Sequence, residues 1–119
     1  MQILDFFKNN KHYNERLNCV VEMLVKTFKP SKIYIFGSFA KGSGDEIMND
    51  IDLFVVAETD LRFTDRIKEM KKLCTGEPHV SPLMYTKAEV EQMLEEGEGY
   101  IEDVLEEAIL IYEDNSSKE

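Results

Sequence analysis

The apolar residues of this chain change period several times, and each change marks a new element. Leu17, Val20, Val21, Leu24, Val25 and Phe28 recur three or four residues apart, the spacing of one face of an amphipathic helix. Pro30 ends that helix. The unbroken apolar run at residues 33–36 then reads as a short buried strand. Gly37 and Ser38 open a turn, Phe39-Ala40-Lys41 starts a short helix, and Gly42-Ser43-Gly44-Asp45 is a loop by composition. A second strand runs over residues 51–57. From about residue 61 to 75 the helical period returns, with Phe63, Ile67, Met70 and Cys74 on one face. The other face carries Arg62, Arg66, Lys68, Lys71 and Lys72, read as a solvated basic patch able to attract a phosphate-bearing ligand.

Gly76 and Pro78 break the chain again. Residues 80–85 predict a third strand, and Pro82 within it places that strand at a sheet edge or a bulge. Thr86-Lys87-Ala88-Glu89 fits a capping box, in which Thr86 caps the helix and Glu89 reaches back. Val90, Met93 and Leu94 continue that helix. Tyr100, Ile101, Val104, Leu105 and Ala108 form a last amphipathic face, and residues 109–112 a short closing strand. Residues 113–119 read as a loose tail. Helices alternate with short strands without repeat or linker. The expected fold is therefore α+β, a small mixed sheet with helices packed against it in two layers, over a single domain spanning residues 1–119.

Composition narrows the function classes. A hydrophobic share of 43% and a charged share of 32% suit a soluble, folded chain. No apolar run approaches the ~18 residues of a membrane span, and the first residues lack a signal-peptide pattern, so a cytoplasmic location is expected. Cys19 and Cys74 make no CxxC pair and read as reduced structural thiols. The net charge of −10 argues against direct nucleic-acid binding, which relies on Lys and Arg. From Thr86 onward twelve acids face only Lys87 and Lys118, a set of solvated helix faces or a docking surface for a basic partner.

One stretch breaks the pattern of a structural core. Residues 34–56 read YIFGSFAKGSGDEIMNDIDLFVV, with two aspartates inside an apolar run. Alternation along a strand points Asp50 and Asp52 the same way, about 6.5–7 Å apart, with Ile51 and Leu53 opposite. Two carboxylates aimed at one small volume repel unless a divalent cation lies between them, and oxygen-only ligands favour Mg²⁺ or Mn²⁺. Gly37 lets the backbone approach a ligand, the free N–H groups at a helix start attract phosphate, and Ser38 adds a hydroxyl donor. A phosphate cradle facing a metal clamp suggests phosphoryl or nucleotidyl transfer. The alternatives fit poorly: Ser43 stands where a Walker A loop needs Lys, and residues 45–52 lack the alternating acids and central glycine of an EF-hand.

The same stretch resembles the signature of the DNA polymerase beta-type nucleotidyltransferase superfamily: an apolar strand, Gly-Ser, a spacer, then acid-apolar-acid-apolar. The short chain and the Gly-Ser-x-Ala-x-Gly form are similar to its minimal, stand-alone members. The resemblance implies that Gly37 and Ser38 hold the triphosphate of a nucleotide, with ATP the expected donor. It implies that Asp50 and Asp52 ligate Mg²⁺ or Mn²⁺ while a hydroxyl attacks the α-phosphate. Asn49 replaces the serine that many relatives carry. Active relatives bring a third carboxylate from the next strand. Here that slot falls on Ser81, with His79 on the same face as a substitute base or ligand and Glu77 nearby. Two readings follow. One is a metal-dependent nucleotidyltransferase acting on a hydroxyl acceptor, with the acceptor site built by a partner or a second copy. The other is a weak or inactive regulator, antitoxin-like, of a HEPN-type helical protein.

Overall fold

The computed structural model describes residues 11–36, 51–76, 79–97 and 99–114. In chain order they form α1 (Lys11–Phe28), β1 (Lys32–Phe36), β2 (Ile51–Val56), α2 (Phe63–Leu73), β3 (Val80–Tyr85), α3 (Lys87–Glu95), α4 (Gly99–Glu107) and β4 (Ile109–Glu113). The four strands make one mixed sheet in the order β3-β2-β1-β4. β1 runs antiparallel to both β2 and β4, whereas β2 and β3 are parallel. Parallel neighbours need a crossover, and α2 supplies it.

Strand alternation splits the apolar residues between two faces. On the first face Ile33, Ile35, Ile51, Leu53, Val55, Val80, Met84 and Ile111 pack against Leu17, Val20, Val21 and Leu24 of α1 and Met70 and Cys74 near the end of α2. Full burial of each such aliphatic side chain contributes about 1.5–3 kcal/mol. On the second face Phe54 and Val56 meet Ile101 and Val104 of α4, with Tyr34, Phe36, Tyr85, Val90, Met93 and Leu105 around them. Helices therefore lie against the sheet, as the alternation of patterns predicts, but they cover both of its faces, so the arrangement has three layers rather than the expected two.

The helix ends follow from local chemistry. Helix α1 starts at least one turn before its apolar stripe. It closes with Lys29 in a left-handed conformation (φ 51°) ahead of Pro30, which cannot continue a helix. The predicted capping box forms in full: the Thr86 hydroxyl accepts from the Glu89 N–H at 3.2 Å, and the Glu89 carboxylate accepts from the Thr86 N–H at 2.9 Å.

Pro82 lies opposite Leu53 on an edge strand, where its missing N–H costs least. Against β1, Ile33 pairs with Tyr112 but Tyr34 with Leu110, so Ile111 is an extra, bulged residue. The expected loose tail starts too early. Glu113 pairs with Lys32, and the Asp114 N–H donates to the Ser31 carbonyl at 2.9 Å. One further residue, Glu113, thus extends β4 beyond its apolar run and the Asp114 hydrogen bond follows it; only residues 115–119 of that tail lie outside the described residues.

Candidate active site

Asp52 is the second residue of β2. It is the half-buried position in a strand whose other five residues are buried. Its ladder partners are Phe36, the last residue of β1, and Ser81, the second residue of β3. Strands lie about 4.8 Å apart, so Asp52 stands between the residue that precedes Gly37 and the candidate third-ligand slot. Ile51 and Leu53 are packed into the first face, and alternation turns Asp52 and Ser81 to the second. The Ile51 N–H donates to the His79 carbonyl at 2.9 Å. That bond carries the β2–β3 pairing one residue further and holds His79 beside the same strand end.

Aromatic rings build the floor next to Asp52. Phe36 stands edge-on to Phe54 at 6.5 Å, Tyr34 does so at 6.1 Å, and Tyr85 stacks on Phe54 at 5.2 Å. A carboxylate at the margin of such an apolar surface attracts a cation more strongly than one in bulk water. Ser81 is half-buried and His79 exposed. Gly37, Ser38, Asp50 and Glu77 lie outside the described residues. Among the described residues no group of three His, Cys, Asp or Glu side chains gathers to hold a metal ion, and Asp52 has a serine rather than an acid as its β3 neighbour. The oxygen donors present, a carboxylate and a hydroxyl, are of the hard type that suits Mg²⁺ or Mn²⁺ when phosphate oxygens and water complete the shell.

The basic face of residues 61–75 is not uniformly solvated. Arg66 is 5% exposed. Its guanidinium donates to both Glu89 carboxylate oxygens at 2.7 and 2.9 Å, to the Met84 carbonyl at 3.2 Å and to the Leu61 carbonyl at 2.8 Å. The bidentate bond to Glu89 raises the Arg66 pKa despite burial, and the bond from Arg66 holds the Glu89 carboxyl below its usual value. Arg66 therefore ties α2, the end of β3 and the capping box of α3 together and offers no charge to a ligand. Sequence reasoning missed this, although the signal was present. Arg66 lies three residues after Phe63 and four before Met70, on the buried stripe itself. Arg62, Lys68, Lys71 and Lys72 remain exposed.

Asp52 lines neither of two cavities formed by the described residues. The larger, about 1020 Å³, opens at the far end of the strands between the second face and α3 and α4, past Tyr34, Val56, Val90 and Leu105. The smaller lies beside α1 and Tyr112. No helix of the described residues is long and apolar enough to cross a membrane.

Residues 18–117 match the family model described as polymerase beta, nucleotidyltransferase. The fold is similar to a crystal structure of a Sulfolobus solfataricus protein provisionally named a nucleotidyltransferase, with a TM-score of 0.66 and 18% identity. The likeness covers 98% of this chain and 93% of that one. No curated protein sequence matches the chain significantly.

Proposed function

The chain belongs to the polymerase beta nucleotidyltransferase family, and on that premise we propose that it transfers a nucleoside monophosphate, AMP from ATP, to a hydroxyl acceptor. The observation that carries this reading is the register of Asp52 between Phe36 and Ser81. It brings one acid beside Phe36, the residue that precedes Gly37 and Ser38 in the sequence.

In the proposed reaction the acceptor oxygen forms a bond to the α-phosphorus. The bond from that phosphorus to the bridging oxygen breaks, and pyrophosphate leaves with the electron pair. The hydroxyl proton passes to a base or to water. Gly37 and Ser38 would cradle the phosphates with backbone N–H groups and a hydroxyl. Asp50 and Asp52 would hold Mg²⁺ or Mn²⁺, which when bound neutralises charge on the phosphates. The aromatic floor around Phe54 would limit water on one side of Asp52. His79, at the end of the same strand pair, is a described candidate for a proton acceptor. The acceptor site would be completed by a partner or a second copy.

One observation favours a second reading. Ser81 occupies the position beside Asp52 where active relatives are expected to carry the third carboxylate, and a missing ligand or base slows such chemistry by orders of magnitude. The chain would then bind nucleotide and regulate a partner, of HEPN type by the resemblance, in a cytoplasmic setting.

Incubation with α-labelled ATP and Mg²⁺ or Mn²⁺, with and without the product of the neighbouring gene, separates the two. Label transfer that disappears in Asp52→Asn supports the enzyme. Mg-ATP binding with no transfer or pyrophosphate release supports the regulator. Transfer that persists in Asp52→Asn overturns the assignment of Asp52.

A further inference from the structure

Of the described helices, α3 alone buries none of its residues, although it carries Val90, Met93 and Leu94. Its N-terminal end is fastened. Thr86 and Glu89 close the capping box, Arg66 grips Glu89, and the Lys87 N–H donates to the Glu58 carboxylate at 3.2 Å. The rest of the helix roofs an incompletely covered part of the second face. There a cavity of about 1020 Å³ opens between Tyr34 and Val56 of the sheet, Val90 of α3 and Leu105 of α4. Concave sites of about this volume with largely apolar walls are the usual receptors for small molecules. Val56 stands four residues beyond Asp52, about 13 Å along β2. Phe54 is fully enclosed between them, packed with Ile101, so the cavity is walled off from the candidate active site.

Charge surrounds the apolar walls. Lys29, Lys32 and Lys87 line the cavity, and none of them makes an ion pair among the described residues. Lys32 is half-buried, with Val56 and Glu113 as its register partners. Glu58, Glu91, Glu113 and Asp114 also line the cavity. Glu58 already accepts from the start of α3, and Glu113 and Asp114 have interactions of their own. The charged side chains left without a bond among the described residues are therefore three ammoniums against Glu91 alone. An ammonium at the margin of an apolar surface is less screened than one in bulk water, which favours an anion as its partner.

We propose that this cavity is a second ligand site, distinct from Asp52, which takes an amphipathic carboxylate. The apolar body of the ligand lies between Tyr34, Val56, Val90 and Leu105 and completes the burial that α3 lacks. Its carboxylate meets Lys32, with Lys29 and Lys87 beside it. Because α3 is fastened at one end, it forms the wall that adjusts to the ligand. The proposal does not depend on the transfer reaction.

The probe is octanoate, compared with octanol and octylammonium, each titrated calorimetrically into the full chain below the concentration at which it aggregates. Octanoate is expected to bind at one saturable site, about tenfold or more tightly than octanol, while octylammonium does not bind. Bound octanoate should slow amide exchange in α3 by about tenfold or more. Lys32→Gln should weaken octanoate about tenfold and leave octanol unchanged. Val90→Trp, a change at a half-buried position, should fill the cavity and abolish binding of both. If that variant does not fold, exchange mapping in wild type and the Lys32→Gln comparison still decide. The proposal is overturned if octanoate binding is absent or fails to saturate at one site per chain. It is also overturned if octanol or octylammonium binds as well as octanoate, if Lys32→Gln leaves octanoate affinity unchanged, or if the protection maps to α1 or α2 instead of α3.

Discussion

Asp52 and Ser81 are register partners on parallel strands, side by side on one face of the sheet. A carboxylate introduced at Ser81 would therefore stand next to Asp52 and share its ion. Without divalent ions, Ser81→Asp should lower the melting temperature, because like charges at neighbouring strand positions repel. Added Mn²⁺ should restore it and bind about tenfold or more tightly than to wild type. Calorimetry with and without Mn²⁺ checks both effects. A melting temperature that ignores the metal would show that the two positions do not share an ion.

Arg66 is the one buried charged residue found among the described residues, and its loss should be costly. Arg66→Ala removes bonds to Glu89 and to two carbonyls, with an expected cost of about 2–4 kcal/mol in denaturant unfolding. Arg66→Lys keeps the charge but not the fork that meets both carboxylate oxygens, and should cost about 1–2 kcal/mol. Glu89→Gln should cost about 1 kcal/mol, since the Glu89 side chain is 40% exposed and its amide can still accept from Thr86. Equal losses for Lys and Ala at position 66 would argue against the bidentate geometry.

The same pair predicts the acid limb of stability. The Arg66 bond depresses the Glu89 pKa in the folded state, and the Thr86 N–H helps. A group with a depressed folded pKa stabilises fully above its unfolded value, about 4.3, and loses that contribution as pH falls through the folded value. Arg66 stays protonated throughout this range. The difference in unfolding free energy between wild type and Glu89→Gln should be constant from about pH 6 to 8 and shrink below about pH 4. A difference that grows in acid would reverse the sign and refute the assignment.

The two thiols should behave differently. Burial pushes the Cys74 thiol up to about 11, against the opposing pull of Arg16, whose guanidinium donates to the Cys74 carbonyl. Cys19 is exposed. Ellman's reagent at pH 8 should titrate one thiol rapidly, and the second only as fast as the chain unfolds. Rapid reaction of both would mean that Cys74 is not enclosed. Because its folded pKa is raised, Cys74 favours the unfolded chain once pH rises above the unfolded thiol value, so stability should fall through the alkaline range.

What the sequence discloses, and what it hides, follows from how local each interaction is. The capping box at Thr86 and Glu89 is legible because its partners are three residues apart. The stripe from Leu17 to Phe28 is legible because burial repeats at the helical period. Strand alternation puts Asp52 opposite Leu53, and the Gly-Ser spacing names the family. The identity of Asp52's neighbours depends on register between separate strands, which no single segment specifies. The Arg66–Glu89 pair lies hidden for the same reason. Arg66 reads as one more cation on a basic face until β3 and α3 bring a carboxylate and a carbonyl to it. Glu113 reads as tail because its charge masks a ladder position, and its pairing with Lys32 emerges only once β1 lies alongside.

The pairing of β4 with β1 joins Lys32 to Glu113, a residue of the last described strand. During synthesis β1 emerges early yet waits with one side of its ladder open until β4 has left the ribosome. A chain that stalls before residue 109 would expose the row of Ile33 and Ile35 as an unguarded border. Premature termination in the last helix should thus yield aggregates that chaperones must clear rather than a merely shortened protein.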